Sequence, residues 1–241
     1  MIKRKYKLTN EVVHFEGKIL HRIKALRNFG KVEKGDLGGF IESEYNLSHE
    51  GDCWIDDNSI VLNSAKICDN AKIINSTIKN EVLIGEYACI CNSKIEDSAK
   101  IYGDAKISDS KIYQNAKVYK SAIIIRSDIF GDATIKGYID YYSKICGSTH
   151  ISETAKIPQN SRIFSDKDYF VIGPIGSRND NVTFAKLNDG SISVFCGCFV
   201  GDIDWFESRV RQVHFGTIYE KEYLAAINLA KIHMTENEGE E

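Results

Sequence analysis

Apolar residues recur along the middle of the chain at Val61, Ile67, Ile73, Ile78, Ile84, Ile90, Ile95, Ile101, Ile107, Ile112, Val118, Ile124 and Ile129. The steps are six, six and five, repeated four times, which makes a period of 17 residues with the short step always third. An amphipathic helix repeats at three and four residues, so this is instead the period of an internal structural repeat. Two residues before most of these positions stands a small residue: Ala65, Ala71, Ala99, Ala105, Ala116, Ala122 and Ala133, with Ser76, Ser93, Ser110 and Ser127 on the short steps. Residues two apart in an extended segment share a face, so the small and the large residue point inward together. The residue between them points outward, and it is often Lys, as at Lys66, Lys72, Lys100, Lys106 and Lys117. Three short strands per repeat describe a triangular column whose backbone hydrogen bonds run between successive coils, stacked about 4.8 Å apart.

Beyond Ile129 the pattern continues with a coil of 16 residues through Ile135, Ile139 and Ile145, then one of 18 through Ile151, Ile157 and Ile163. Upstream, Ile41, Leu47 and Ile55 extend it less regularly. The solenoid is expected over residues 37 to 165, about seven coils. Residues 1 to 36 hold two alternating runs, Tyr6 to Phe15 and Lys18 to Leu26, split by Glu16 and Gly17. They predict a β-hairpin capping an otherwise open strand edge. Residues 166 to 234 predict a small α+β module, with strands at Tyr169 to Ile172, Val182 to Leu187 and Ser191 to Val200. Two helices follow: one from Ile203 with its apolar stripe at Phe206, Val210 and Val213, and one from the Thr217/Glu220 capping box to about Met234. The acidic stretch 235 to 241 is expected to be disordered.

Composition supports strand over helix, since the 241 residues include 33 Ile against 10 Leu and a β-branched side chain suits a pleated surface. With 31 Lys plus Arg against 34 Asp plus Glu the net charge is -3, so nucleic acid is not the expected partner. No apolar run reaches membrane-spanning length, no signal-peptide pattern is present, and seven Cys are scattered without a paired framework. These features predict a cytoplasmic protein with free thiols.

Units such as IYGDAK, ICDNAK and VYKSAI resemble the hexapeptide-repeat, left-handed parallel β-helix family, over about half the chain. That resemblance, not the spacing, implies the left hand and the frequent trimeric assembly of the fold. Gly38 to Asn58 also resembles the lead-in of bacterial hexapeptide-repeat proteins labelled transferases without an established reaction. IGPIGSRND and CGCF resemble a C-terminal segment of uncharacterised bacterial and phage proteins, which implies a phage-derived origin.

The family's acyltransferases use a His as general base beside an acyl-CoA groove between subunits, often with an extruded loop. Between Val61 and Ile129 there is no inserted loop, and the coils from Val61 onward hold one His, His150, at an outward position. A zinc site of three converging His is excluded for the coils on that ground. Cys196 and Cys198 alternate with Ile192, Val194 and Val200, which reads as one strand face rather than as half of a metal site completed by His214 and His233. The loop containing Ser177, Arg178, Asn179 and Asp180 combines an Arg with turn-forming residues and is the first choice for an anion site. Tyr102, Tyr113, Tyr119 and Phe130, with Tyr138, Tyr141 and Tyr142 close behind, predict a covered surface, either a contact between copies in a homo-oligomer or the docking face of the module. Without a convergent acid, base or nucleophile, the leading expectation is a non-catalytic scaffold, needing no cofactor, that presents its C-terminal module to a protein partner or small anionic ligand. The alternatives are an acyl-CoA-dependent acyltransferase using His150 at a subunit interface, and a protein that sequesters a nucleotide signal.

Overall fold

A computed structural model describes residues 4–56 and 58–235. The expected disorder of the acidic tail therefore falls, beyond Thr235, outside the described residues. Two- and three-residue strands stack in register into three parallel ladders. The first face of the column carries Val61, Ile78, Ile95, Ile112, Ile129, Ile145 and Ile163 inward. The second carries Ile67, Ile84, Ile101, Val118, Ile135 and Ile151, and the third Ile55, Ile73, Ile90, Ile107, Ile124, Ile139 and Ile157. All are at most 1% exposed, as are the predicted alanines. The 17-residue period is thus a stack of about seven triangular turns around an isoleucine core, in which each coil is stabilised by its neighbours.

The corners explain the polar residues between the isoleucines. Most corners place a residue in the left-handed region, and Asn and Asp tolerate it better than most. Asn63, Asn80 and Asp97 supply it at one corner, and Asn75, Asn92 and Asp109 at the tightest one. On the short step the backbone on either side of the serine still pairs between coils, but the serine amide donates to a buried serine hydroxyl instead of a carbonyl. Ser110 N donates to Ser93 Oγ at 3.0 Å, and that hydroxyl donates to the Cys91 carbonyl at 2.6 Å; Ser76 and Ser127 repeat the motif. This is why the short steps carry Ser where the long ones carry Ala. Ser93→Ala is expected to strand the Ser110 amide and cost about 1–3 kcal/mol. Urea unfolding would measure it, and a loss below about 0.5 kcal/mol would show that the ladder contributes little.

The hairpin forms as predicted, from Tyr6–Phe15 and Lys18–Ala25, and pairs with Leu37–Ile41 to extend the first face. It also plugs the column's first coil. Tyr6 is buried and its hydroxyl donates to the Leu47 carbonyl, while the fully buried Lys5 ammonium donates to the carbonyls of Glu50, Gly51 and Cys53.

At the other end four antiparallel strands, Tyr169–Ile175, Asp180–Lys186, Ile192–Cys196 and Phe199–Asp202, form a sheet. The expected single strand from Ser191 to Val200 is therefore two, turning at Gly197 (φ 60°) and Cys198, with Cys196 opposite Phe199. Both halves alternate, so periodicity alone could not reveal the break. The strand Asp180–Lys186 is buried on both sides. Ala185 joins the solenoid core and Thr183 accepts from Lys156 N, whereas Val182 and Phe184 face helices α1 (Ile203–Val213) and α2 (Ile218–Met234). The module thus closes the open end of its own chain's column. Thr217 caps α2 as predicted and Asp202 caps α1, but Val213, expected on the buried stripe of α1, is exposed.

Candidate functional site

On the second face the outward residues form one in-register column: Lys66, Leu83, Lys100, Lys117, Thr134 and His150. His150 is the last of them, with its side chain mostly in solvent. The chain then leaves the solenoid through the one-turn helix Asp166–Asp168, which Ser165 caps, and this turn sets a carboxylate beside the ring. Asp166 Oδ2 lies 3.7 Å from His150 Nδ1, and Asp166 Oδ1 accepts from the His150 backbone N–H at 2.7 Å. The Tyr169 hydroxyl donates to the His150 carbonyl, so the backbone on both sides of the side chain is held. The turn itself is anchored. Burial works against the charge of Asp168, but N–H groups of Phe164 and Ser165 and the Lys186 ammonium hold its carboxyl below the usual range.

Asp166 and Tyr169 were not among the residues singled out from the sequence. The only signal for Asp166 is that it stands one coil after His150, and the shift from 17-residue to 16- and 18-residue coils obscures that spacing. A carboxylate set beside one ring nitrogen of a His, here at 3.7 Å and so just beyond hydrogen-bond reach, is the pairing from which a general base is built.

Above His150 the column is basic. Lys100 and Lys117 are exposed, directly opposite each other, and without an ion-pair partner among the described residues. Like charges set opposite in a ladder repel, so an anion bridging them would be stabilising. Beside them Tyr102 and Tyr119 stack with rings 6.2 Å apart and 9° from parallel. Lys117 and Lys100 lie two and three coils from His150, roughly 10 and 14 Å along the column.

The remaining aromatics do not join this strip. Tyr113 and Phe130 stack with each other beyond the first face, Tyr138 sits on the third, and Tyr141 and Tyr142 occupy the corner that follows it. The predicted aromatic surface is therefore three separate ledges, half-buried except for the exposed Tyr142. Ser177, Arg178 and Asn179 lie in the hairpin turn between Tyr169–Ile175 and Asp180–Lys186, and Asp180 opens the second of these strands. In the turn, the Arg178 guanidinium lies against Gly197 and reaches Cys198 Sγ at 3.5 Å. Cys196 is half-buried beside Tyr223 while Cys198 is exposed, so the two sulfurs do not share a face. Burial pushes the thiols of Cys53, Cys89, Cys146 and Cys196 up, and that of Cys68 to about 11, which disfavours the nucleophilic thiolate.

A cavity of about 1050 Å³ opens near the other end of the column, on the third face, between the loop after the hairpin and the first coils. Lys31, Asp36, Asp52, Trp54, Lys72 and Tyr87 are among its lining residues. Roughly 24 Å of column separates it from the level of His150. Among the described residues no group of His, Cys, Asp and Glu is placed to hold a metal ion. No helix of the described residues is long and apolar enough to cross a membrane.

No family model matches the chain. A protein of Escherichia coli (strain K12) named uncharacterized acetyltransferase YdcK is 34% identical over 84 residues, 31% of this chain and 26% of that protein. The chain thus spans about a quarter of the length of the curated relative it matches. A solved Bacillus cereus structure, provisionally described as an acetyltransferase, aligns over 76% of this chain and 92% of its own at 12% identity. Its TM-score of 0.27 is too low for the likeness to carry a structural argument.

Proposed function

We propose that this hexapeptide-repeat β-solenoid is an acyltransferase that takes its acyl group from a phosphate-bearing thioester such as acyl-CoA, with His150 as the general base. The observation that carries this reading is the His150–Asp166 pair at the foot of a basic column. It replaces the expectation of a non-catalytic scaffold. That expectation rested on the lack of a positioned base, and it is overturned by the acetyltransferase name of the curated relative.

The chemistry follows from the placement. With Nδ1 facing Asp166, Nε2 is the ring nitrogen left for an acceptor hydroxyl or amine. It removes the acceptor proton as the oxygen or nitrogen attacks the thioester carbonyl, and Asp166 stabilises the imidazolium that forms. When the tetrahedral intermediate collapses, the C–S bond breaks and the imidazolium returns the proton to the departing thiolate. Lys100 and Lys117 hold the donor's phosphates, Tyr102 and Tyr119 offer a flat ledge for its base, and the acyl arm extends down the column toward His150.

Calorimetric titration with acetyl-CoA tests the donor site. The full chain is expected to give a saturable isotherm, weakened about tenfold or more for each of Lys100→Glu and Lys117→Glu. A trace without heat across acetyl- and longer acyl-CoAs, or affinity indifferent to both substitutions, would refute the assignment.

A further inference from the structure

Helix α2 buries one stripe, Tyr223, Ala226, Ile227, Ala230 and Met234, in the core of the C-terminal module. Its opposite side is not polar. Ile218, Ala225, Leu229 and Ile232 are spaced seven, four and three residues apart, which places them in one line along the helix. All four are exposed, Ile218 by 61%, Leu229 by 46% and Ile232 by 64%, and Phe215, 83% exposed, stands in the turn that leads into the helix. A helix that is apolar on two sides is one that packs on two sides. Among the described residues only one side has a partner.

We infer that this second stripe is a two-fold interface, on which α2 of one molecule packs antiparallel against α2 of a second copy. The stripe is its own complement. Ile218 and Ile232 each lie seven residues from Ala225, so a two-fold axis through Ala225 sets Ile218 of each copy against Ile232 of the other. Ala225 stands at the crossing, where a small side chain allows the axes to approach closely. The polar flank agrees. Lys221 and Asn228 lie at nearly equal distances on either side of Ala225, so each Lys meets an Asn rather than another Lys. The four large side chains offer on the order of 500 Å² per copy, and a pair then buries about the 1,000 Å² that a specific interface needs. A single unrelated partner would explain the exposure but not this internal symmetry.

The test uses the intact chain. Light scattering across a range of concentrations should give a mass for the native protein that Leu229→Glu combined with Ile232→Glu cuts by a factor of two. The far-ultraviolet circular dichroism should stay unchanged. Independently, Ala225→Cys should form a covalent dimer under mild oxidation, well above the level of the native chain or of Ser208→Cys on α1. A native monomer, a mass that the double substitution leaves alone, or cross-linking no stronger at 225 than at 208 would each overturn the interface.

Discussion

Asp in place of Ile124 is expected to abolish cooperative folding of the column, and Ala at the same position to cost about 2–5 kcal/mol. Ile124 is fully buried on the third face, in register between Ile107 above and Ile139 below. Truncation to Ala removes contacts with both neighbouring coils and leaves a cavity that a rigid ladder cannot close. A carboxylate there would lie among isoleucines on every side, with no donor to meet it. Because each coil is supported only by its neighbours, a defect in the middle of the stack uncouples its two halves. Ile124→Val, which keeps the branched shape, should cost only about 0.5–1.5 kcal/mol. Outward Lys117→Ala should stay within about ±0.5 kcal/mol. Urea denaturation of the series would rank the variants, and an Ile124→Ala penalty no larger than that of Lys117→Ala would mean that the isoleucine core does not dominate stability.

The column was legible because three faces and about seven coils state the same rule repeatedly, so local exceptions could not hide it. The Ser positions on the short step were visible, although their role as acceptors for the next coil's amide was not, because that bond exists only once the coils stack. The fold of the C-terminal module was read less well. Ile192 to Val200 alternates without interruption, and only the backbone at Gly197 shows that the chain doubles back there. The aromatic residues were grouped by sequence proximity. The phase of the repeat separates them, since Tyr102 and Tyr119 follow second-face positions whereas Tyr113 and Phe130 follow first-face ones. The candidate site was half legible. His150 was named from its outward position, but its carboxylate partner comes from a turn beyond the last coil, where the period no longer predicts what stacks on what.

That pairing carries the second large prediction. His150→Ala should lower the rate of acyl transfer from acetyl-CoA by about 10²–10⁴, or roughly 3–5.5 kcal/mol of transition-state stabilisation, while leaving the KM for the donor nearly unchanged. Asp166→Asn should cost less, on the order of tenfold, since it only orients the ring and stabilises the imidazolium. Lys100→Glu should do the opposite, raising the donor KM with little change in kcat, because its contact is equal in ground and transition states. The His150 side chain is two-thirds exposed, and the hydrogen bond from its backbone to Asp166 survives substitution by Ala. Stability should therefore move by no more than about 0.5 kcal/mol, and a lost activity could not be blamed on unfolding. Free-thiol release from acetyl-CoA, measured with hydroxyl and amine acceptors, provides the readout. If the Ala variant turned over at the native rate, the base would have to be sought elsewhere on the column. A drop shared equally by kcat and donor affinity would make His150 part of the donor's binding surface instead. The split between kcat and KM therefore separates the two roles that its exposed position on the column allows.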